Sequence, residues 1–298
     1  MEELGGINIE KIQYYQERYP KKLLKIKNFP QQLYCMGNVE LLNHDKIVAI
    51  VGSRDCTEYG RKYAQLFAKE LAKKNITIIS GVALGIDAAA HCGSMNEQGK
   101  TIAVLGGGLK DIYPKENLWL YNEILNGGGC VITEYQENEE TQKSNFPKRN
   151  RIISGIADAV LVIEASYRSG SRITAKYAME QGKKVYCIPI NLDYKNSSGI
   201  TELIREGAKI VISSRELILD LYANNSKRSD LNIVPTGKIP DKYMELYKIL
   251  IDAKSSEELA ASLNKSIDEI NSILTIMEIE GYIERMAGNY FRRKEKNV

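Results

Sequence analysis

The chain has 298 residues, 43% of them hydrophobic, and its 41 basic and 38 acidic side chains leave a formal charge of +3. That is enough apolar material for a large domain and a small one, and it excludes a generally basic surface, so affinity for a polyanion has to come from local clustering of charge. Five cysteines (Cys35, Cys56, Cys92, Cys130 and Cys187) form no C-x-x-C pair and are joined by only two histidines, His44 and His91, which argues against a disulfide framework, a metal site or a cofactor ligand set and for a reducing cytoplasm; the absence of a targeting segment or long apolar run argues against a membrane.

Residues 1–45 read as an extension packing on the rest: a short helix from Ile9 to Gln16 with Asn8 as N-cap, then an extended piece, Gln32 to Gly37, suited to an edge strand. From residue 46 onward, β-branched runs at 47–51, 76–79, 101–105, 130–133, 158–163 and 184–188 alternate with helical patterns at 58–74, 85–97, 115–126, 147–156 and 171–181. A further pair of helices near 199–206 and 214–223 closes this domain. Such alternation predicts an α/β domain over 46–223 built on a doubly wound, mostly parallel Rossmann-like sheet. Residues 224–240, polar and carrying Pro235, Gly237 and Pro240, read as a linker.

Beyond the linker, helices near 241–253, 255–263 and 267–280 precede a hairpin of Tyr282–Met286 and Tyr290–Arg293, the layout of a small C-terminal winged-helix domain over 241–298. Its third helix carries Asp268, Glu269, Glu278 and Glu280 and has no Lys or Arg, so facing a duplex it would repel phosphates. Protein contact or domain packing is the favoured role for this module, with DNA reading the alternative.

Strand ends of a parallel sheet share one edge, so the loops that follow them converge on one cleft. Here those loops are Gly52-Ser53-Arg54, Ser80-Gly81, Gly106-Gly107-Gly108 and Arg168-Ser169-Gly170-Ser171, with a basic segment holding Lys143, Asn145, Phe146, Lys148, Arg149, Asn150 and Arg151. Glycine lets the backbone approach an anion, and helix N-termini add partial positive charge, so the cleft is expected to bind a polyanion. A dinucleotide site would need G-x-G-x-x-G after the first strand and an ATPase a P-loop; the chain has neither. Phe146, an aromatic within the basic loop, is either a base-stacking platform or a buried anchor. Asp87 and His91, one helical turn apart, read as a helix cap and a packed imidazole in preference to an acid–base pair.

In this order the motifs resemble the DprA/Smf family over about Tyr19 to Leu221: Val48–Arg54, Ser80–His91, Ala103–Leu109, Tyr113-Pro114, Asn145–Gly155 and Arg168–Ser171. The resemblance implies a single-stranded DNA-binding, homodimeric recombination mediator without catalytic residues or cofactor, which protects incoming DNA and loads the RecA recombinase in natural transformation. It also implies that Arg54 grips phosphate, that Lys143 and Phe146 form the basic loop with its stacking ring, that Arg149 and Arg151 support the pocket, and that Ser53, Gly81, Gly106 to Gly108, Ser169 and Ser171 line it. Leu84 stands where the family usually has arginine, Ile190 where it has glycine, and Thr201 near its usual asparagine; the helical N-terminal domain common in the family is expected to be missing. A competing class, the phosphoribohydrolases of the same sheet, uses a P-G-G-x-G-T-x-x-E loop. Here the corresponding loop is Ser169–Thr174, with Thr174 at the place of the catalytic glutamate. A small-nucleotide sensor would use the same pocket.

Overall fold

The computed structural model describes residues 8–97, 99–191, 193–222, 240–250, 252–279, 282–286 and 290–293; the expected linker and the tip of the C-terminal hairpin lie outside the described residues. The chain divides into two compact units, 1–221 and 222–298.

The first unit is a nine-stranded sheet. Its parallel part comprises β3 (Ile47–Val51), β4 (Thr77–Ser80), β5 (Thr101–Val104), β6 (Cys130–Thr133), β7 (Ala159–Val162), β8 (Lys184–Cys187) and β9 (Lys209–Ile210). Two N-terminal strands, β1 (Glu10–Gln13) and β2 (Gln32–Gly37), extend it antiparallel beside β6, giving the order β1-β2-β6-β5-β4-β3-β7-β8-β9. From β3 the chain steps outward to β6, then crosses back to β7 beside β3 and steps the other way. The point of reversal therefore lies between β3 and β7.

All five residues of β3 are buried, as expected for a parallel strand covered on both faces. Ile47, Ala49 and Val51 enter one core with Val160, Val162 and Val185, while Val48 and Ile50 project to the opposite face. The covering helices are α1 (Glu58–Ala72), α2 (Ile86–Met95), α3 (Leu118–Asn126), α4 (Asn145–Ile156), α5 (Gly170–Glu180), α6 (Ser198–Arg205) and α7 (Ser214–Tyr222). These elements agree with the sequence reading to within a few residues.

Three departures have physical causes. The expected helix at Ile9–Gln16 is instead β1, because Ile12, 1% exposed, fills the core while residues 10–13 satisfy the outer edge of β2; an isolated two-turn helix has too few hydrogen bonds to compete. Gln32–Gly37 is consequently an interior strand and not an edge. The two-residue β9, hidden between α6 and α7, is too short to produce a period-two pattern.

The second unit packs α8 (Asp241–Ile249), α9 (Ser256–Leu263) and α10 (Ile267–Ile279) with a small sheet ordered β10 (Lys254–Ser255), β12 (Tyr290–Arg293), β11 (Ile283–Met286). Leu246, Leu250, Leu259, Ile270, Leu274, Met277 and Phe291 form its core. Ser255 ends β10 and caps α9, exchanging hydrogen bonds with Glu258 in a capping box.

The N-terminal extension belongs to the first unit's core. Leu23, fully buried, sits against Gly155 of α4, where an added Cβ would come within 2.6 Å of it. Leu23→Ala should lower stability by about 3 kcal/mol in urea unfolding with an unchanged slope. A loss below about 1 kcal/mol would show that residues 19–26 contribute little to the fold.

Candidate nucleic-acid interface

A cleft of about 600 Å³ opens at the carboxyl ends of β3 and β7, the point of reversal at which doubly wound sheets bind their ligands. One wall is the loop after β3, with Gly52, Ser53, Arg54 and Asp55. The opposite wall is the loop after β7, with Ser166, Arg168, Ser169, Gly170 and Ser171; Lys143, Phe146, Pro147, Arg149 and Asn150 close it from the start of α4, and Lys195 and Asn196 from the loop after β8.

α4 begins at Asn145, two residues before the expected start at 147, so that Phe146, expected in a basic loop, stands with Pro147 in its first turn. Proline is tolerated there because first-turn amides have no intrahelical acceptor. The helix projects the half-buried Phe146 ring over Gly106, where a Cβ would stand 3.0 Å from the ring edge. Two guanidiniums face the ring, Arg54 at 5.1 Å and Arg149 at 5.8 Å from its centroid, and Tyr113 tilts against it at 5.7 Å.

Arg149 is 5% exposed. Burial lowers its pKa to about 10, against the pull of Asp87, so it stays charged at neutral pH. Its Nη1 donates to the Val104 carbonyl at the end of β5 and its Nε to Asn150 Oδ1 at 3.2 Å, while the Asn150 amide donates to the Gly170 carbonyl at 3.1 Å. The start of α4 is thereby tied to β5 on one side and to α5 on the other.

Arg54, Lys143 and Arg168 line the cleft with no carboxylate in ion-pair reach among the described residues, whereas Lys195 pairs with Asp55 at 2.8 Å. The N-terminus of α5 also opens here, capped by Ser169 and with no acid in its first turn. Its amide ends add partial positive charge.

The sheet edge does not bring every expected residue to the cleft. Gly106, Gly107 and Gly108 are buried beneath the segment 136–146: a Cβ on Gly107 would strike the Thr141 side chain, and the Gly108 amide donates to the Glu139 carbonyl at 2.8 Å. Their small size lets chain segments cross; it does not present amides to an anion. Ser80 is likewise interior, donating to the Ile50 carbonyl, and Gly81 gives room to Asp87 and Arg149. Asn145 is buried, Lys148 is exposed outside the cleft lining, and Arg151 forks onto Glu134 at 3.1 and 2.6 Å.

The expected residues that do share the cleft are Gly52, Ser53, Arg54, Lys143, Phe146, Arg149, Asn150, Arg168, Ser169, Gly170 and Ser171. Leu84 lines a neighbouring 60 Å³ slot with Tyr113, Leu105 and Phe146, whereas Ile190 packs against the core and Thr201 bonds within α6.

Sequence reasoning missed Glu164. This fully buried carboxylate, directly beyond β7, accepts from the Thr57 amide at 3.1 Å, the Thr57 hydroxyl and the Asn196 amide at 3.1 Å, and so binds the Arg54 loop to the Lys195 loop. Its only signal is an acid closing an otherwise apolar run, Ala159 to Ile163, where burial requires partners.

Asp87 does not cap α2, whose N-cap is Gly85 and lacks any side-chain cap; its buried carboxyl accepts from the Ala83 amide beside Arg149. His91 bridges the Gly81 carbonyl and Thr101 Oγ1, each at 2.7 Å. Because a carbonyl only accepts, the neutral ring carries its proton on Nε2. This is the packed imidazole expected from the sequence.

Fold and cleft together define a Rossmann-like protein whose switch-point cleft is lined by cations with no carboxylate partner among the described residues and by an arginine-flanked aromatic ring. The family model described as DNA recombination-mediator protein A matches residues 10–222, and the chain belongs to that family of DNA recombination mediators. The Smf protein of Escherichia coli is 33% identical over 93% of this chain and 75% of its own length. Among solved structures, DNA processing protein A of Streptococcus pneumoniae is 40% identical over 72% of this chain and 74% of that one, with a TM-score of 0.67. That of Helicobacter pylori, described for its single-stranded DNA binding mode, is 30% identical over 74% and 98%, with a TM-score of 0.66.

Burial raises the Asp87 pKa from 3.8 to about 6 and lowers that of His91 from 6.5 to about 4. As pH climbs from 4 to 6, native Asp87 retains a proton that the unfolded chain has released, so its contribution lowers stability. Over the same range unfolded His91 holds a proton that the native ring lacks, so its contribution raises stability; the two slopes oppose. Asp87→Asn removes only the first. The stability of the variant relative to the parent should therefore grow between pH 4 and 6 and then level off in urea titrations; a difference that ignores pH would contradict the burial of an ionisable Asp87.

Proposed function

We propose that the cleft binds single-stranded DNA through its phosphates and stacks a base against Phe146, and that the protein protects such strands and passes them to a RecA-type recombinase as a cytoplasmic homodimer. The observation that carries the DNA reading is that three cations with no carboxylate partner among the described residues, Arg54, Lys143 and Arg168, line the same cleft as a ring flanked by guanidiniums. Phosphates of any sequence satisfy such cations, and any base satisfies such a ring. Family membership supports the handover and the dimer. Among the described residues no helix is long and apolar enough to cross a membrane.

We read the site as one of binding and not of catalysis. Both cleft carboxylates are engaged, Asp55 with Lys195 and Asp87 beneath Arg149, and the position that would carry a hydrolase's glutamate is Thr174, 1% exposed. The second unit, read as a winged helix, suits a protein partner better than a duplex, because α10 carries Asp268 and Glu269 in its first turn and no base in its last.

Fluorescence anisotropy of labelled oligothymidylate tests the reading. Arg54→Ala should weaken binding equally for oligothymidylate and oligoadenylate, since the lost contact is to phosphate. Phe146→Ala should cost about 1–3 kcal/mol. Thymidine monophosphate should fail to displace the strand; efficient displacement would instead identify a small-nucleotide sensor.

A further inference from the structure

Tyr167 is among the most exposed aromatic side chains of the first unit, at 62%, yet it is firmly held. Its amide donates to Ser198 Oγ at 3.1 Å, and its carbonyl accepts from Arg172 Nη1 at 2.8 Å. The Arg172 guanidinium lies 5.0 Å from the ring centroid and is itself anchored to Glu206 at 2.8 Å. Both chain neighbours of Tyr167, Ser166 and Arg168, line the cleft. A lone exposed tyrosine ordinarily needs no explanation. This one shares with Phe146 a ring backed by a guanidinium, and it sits in the loop after β7 between two residues that line the cleft.

We propose that Tyr167 is a second stacking platform, taking a base of the same single strand several nucleotides from the one at Phe146, with Arg168 beside it on the intervening phosphate. The inference rests on the reading of the cleft as a single-strand site. A backbone fixed by Ser198 and Arg172 presents the ring without the ordering cost that a mobile side chain would incur on binding. The guanidinium on one side polarises the ring as well as positioning it, and stacking of this kind tolerates every base. The strand thus has a path from α4 across the floor of the cleft to the loop after β7.

The direct test is photocross-linking of the full chain to an oligothymidylate of about 16 nucleotides, with 5-iodouracil replacing each thymine in turn, followed by peptide mapping. Adducts on Tyr167 and on Phe146 from different positions of one oligonucleotide are the expected result. Tyr167→Ala should weaken binding of this strand about tenfold while barely affecting one of about 4 nucleotides, and should leave the salt dependence unchanged because no phosphate contact is lost. Tyr167→Phe should restore affinity. Adducts confined to Phe146, with parental affinity in Tyr167→Ala, would overturn this proposal and leave the cleft reading intact. If the parent protein neither binds nor cross-links to the strand, the cleft reading fails and this proposal with it. Unchanged DNA binding in Tyr167→Ala together with lost recombinase association would assign the ring to a protein partner and also overturn the proposal.

Discussion

The site depends on one buried cation. Arg149 fastens the start of α4 to the end of β5 through the Val104 carbonyl, faces the Phe146 ring, and adjoins the buried Asp87. A guanidinium this far from water is tolerable only with its donors and its charge answered, and the carbonyl, Asn150 and Asp87 supply those answers. The cost of burial appears as a depressed pKa, yet the group stays ionised at neutral pH. With the Asn150 amide on the Gly170 carbonyl and Tyr113 against the Phe146 ring, it holds the first turns of α4 over Gly106 and keeps Phe146 at the cleft.

From that anchor the remaining geometry follows. Reversal of strand order between β3 and β7 leaves a gap above the sheet, and loops from both halves of the fold edge it. Glu164 beneath those loops keeps the Arg54 and Lys195 walls at a set spacing. Cations without carboxylate partners among the described residues then face a concave space, where their charge is available to a ligand. A chain of nearly balanced charge thereby concentrates positive charge in one cleft: acids elsewhere are paired, Glu134 with Arg151, Asp158 with Lys22 and Asp220 with Lys184.

The fold was largely legible because parallel strands buried on both faces are short β-branched runs, and their alternation with helices leaves few topologies. β1 and β9 were not, since their identity is set by the neighbouring strand edge and not by their own pattern. For the site, the loops after β3 and β7 and the aromatic at the start of α4 were readable from residue type and position. The glycine triplet misled: glycine marks close approach, but it does not say whether an anion or another stretch of chain approaches, and here it is residues 136–146. Arg151 misled for a related reason. A helix sends residues two apart to different faces, so Arg149 reaches the cleft while Arg151 meets Glu134. Glu164 escaped notice because a single acid after an apolar strand carries no motif.

The central claim is that Arg54, Lys143 and Arg168 meet the phosphates of a single strand. The most direct measurement is the affinity of the intact protein for oligothymidylate across a series of salt concentrations. Three phosphate contacts predict a slope of log K against log salt of about −2. A slope near zero would mean that no phosphates are neutralised, and would contradict the account of the cleft as a single-strand binding site.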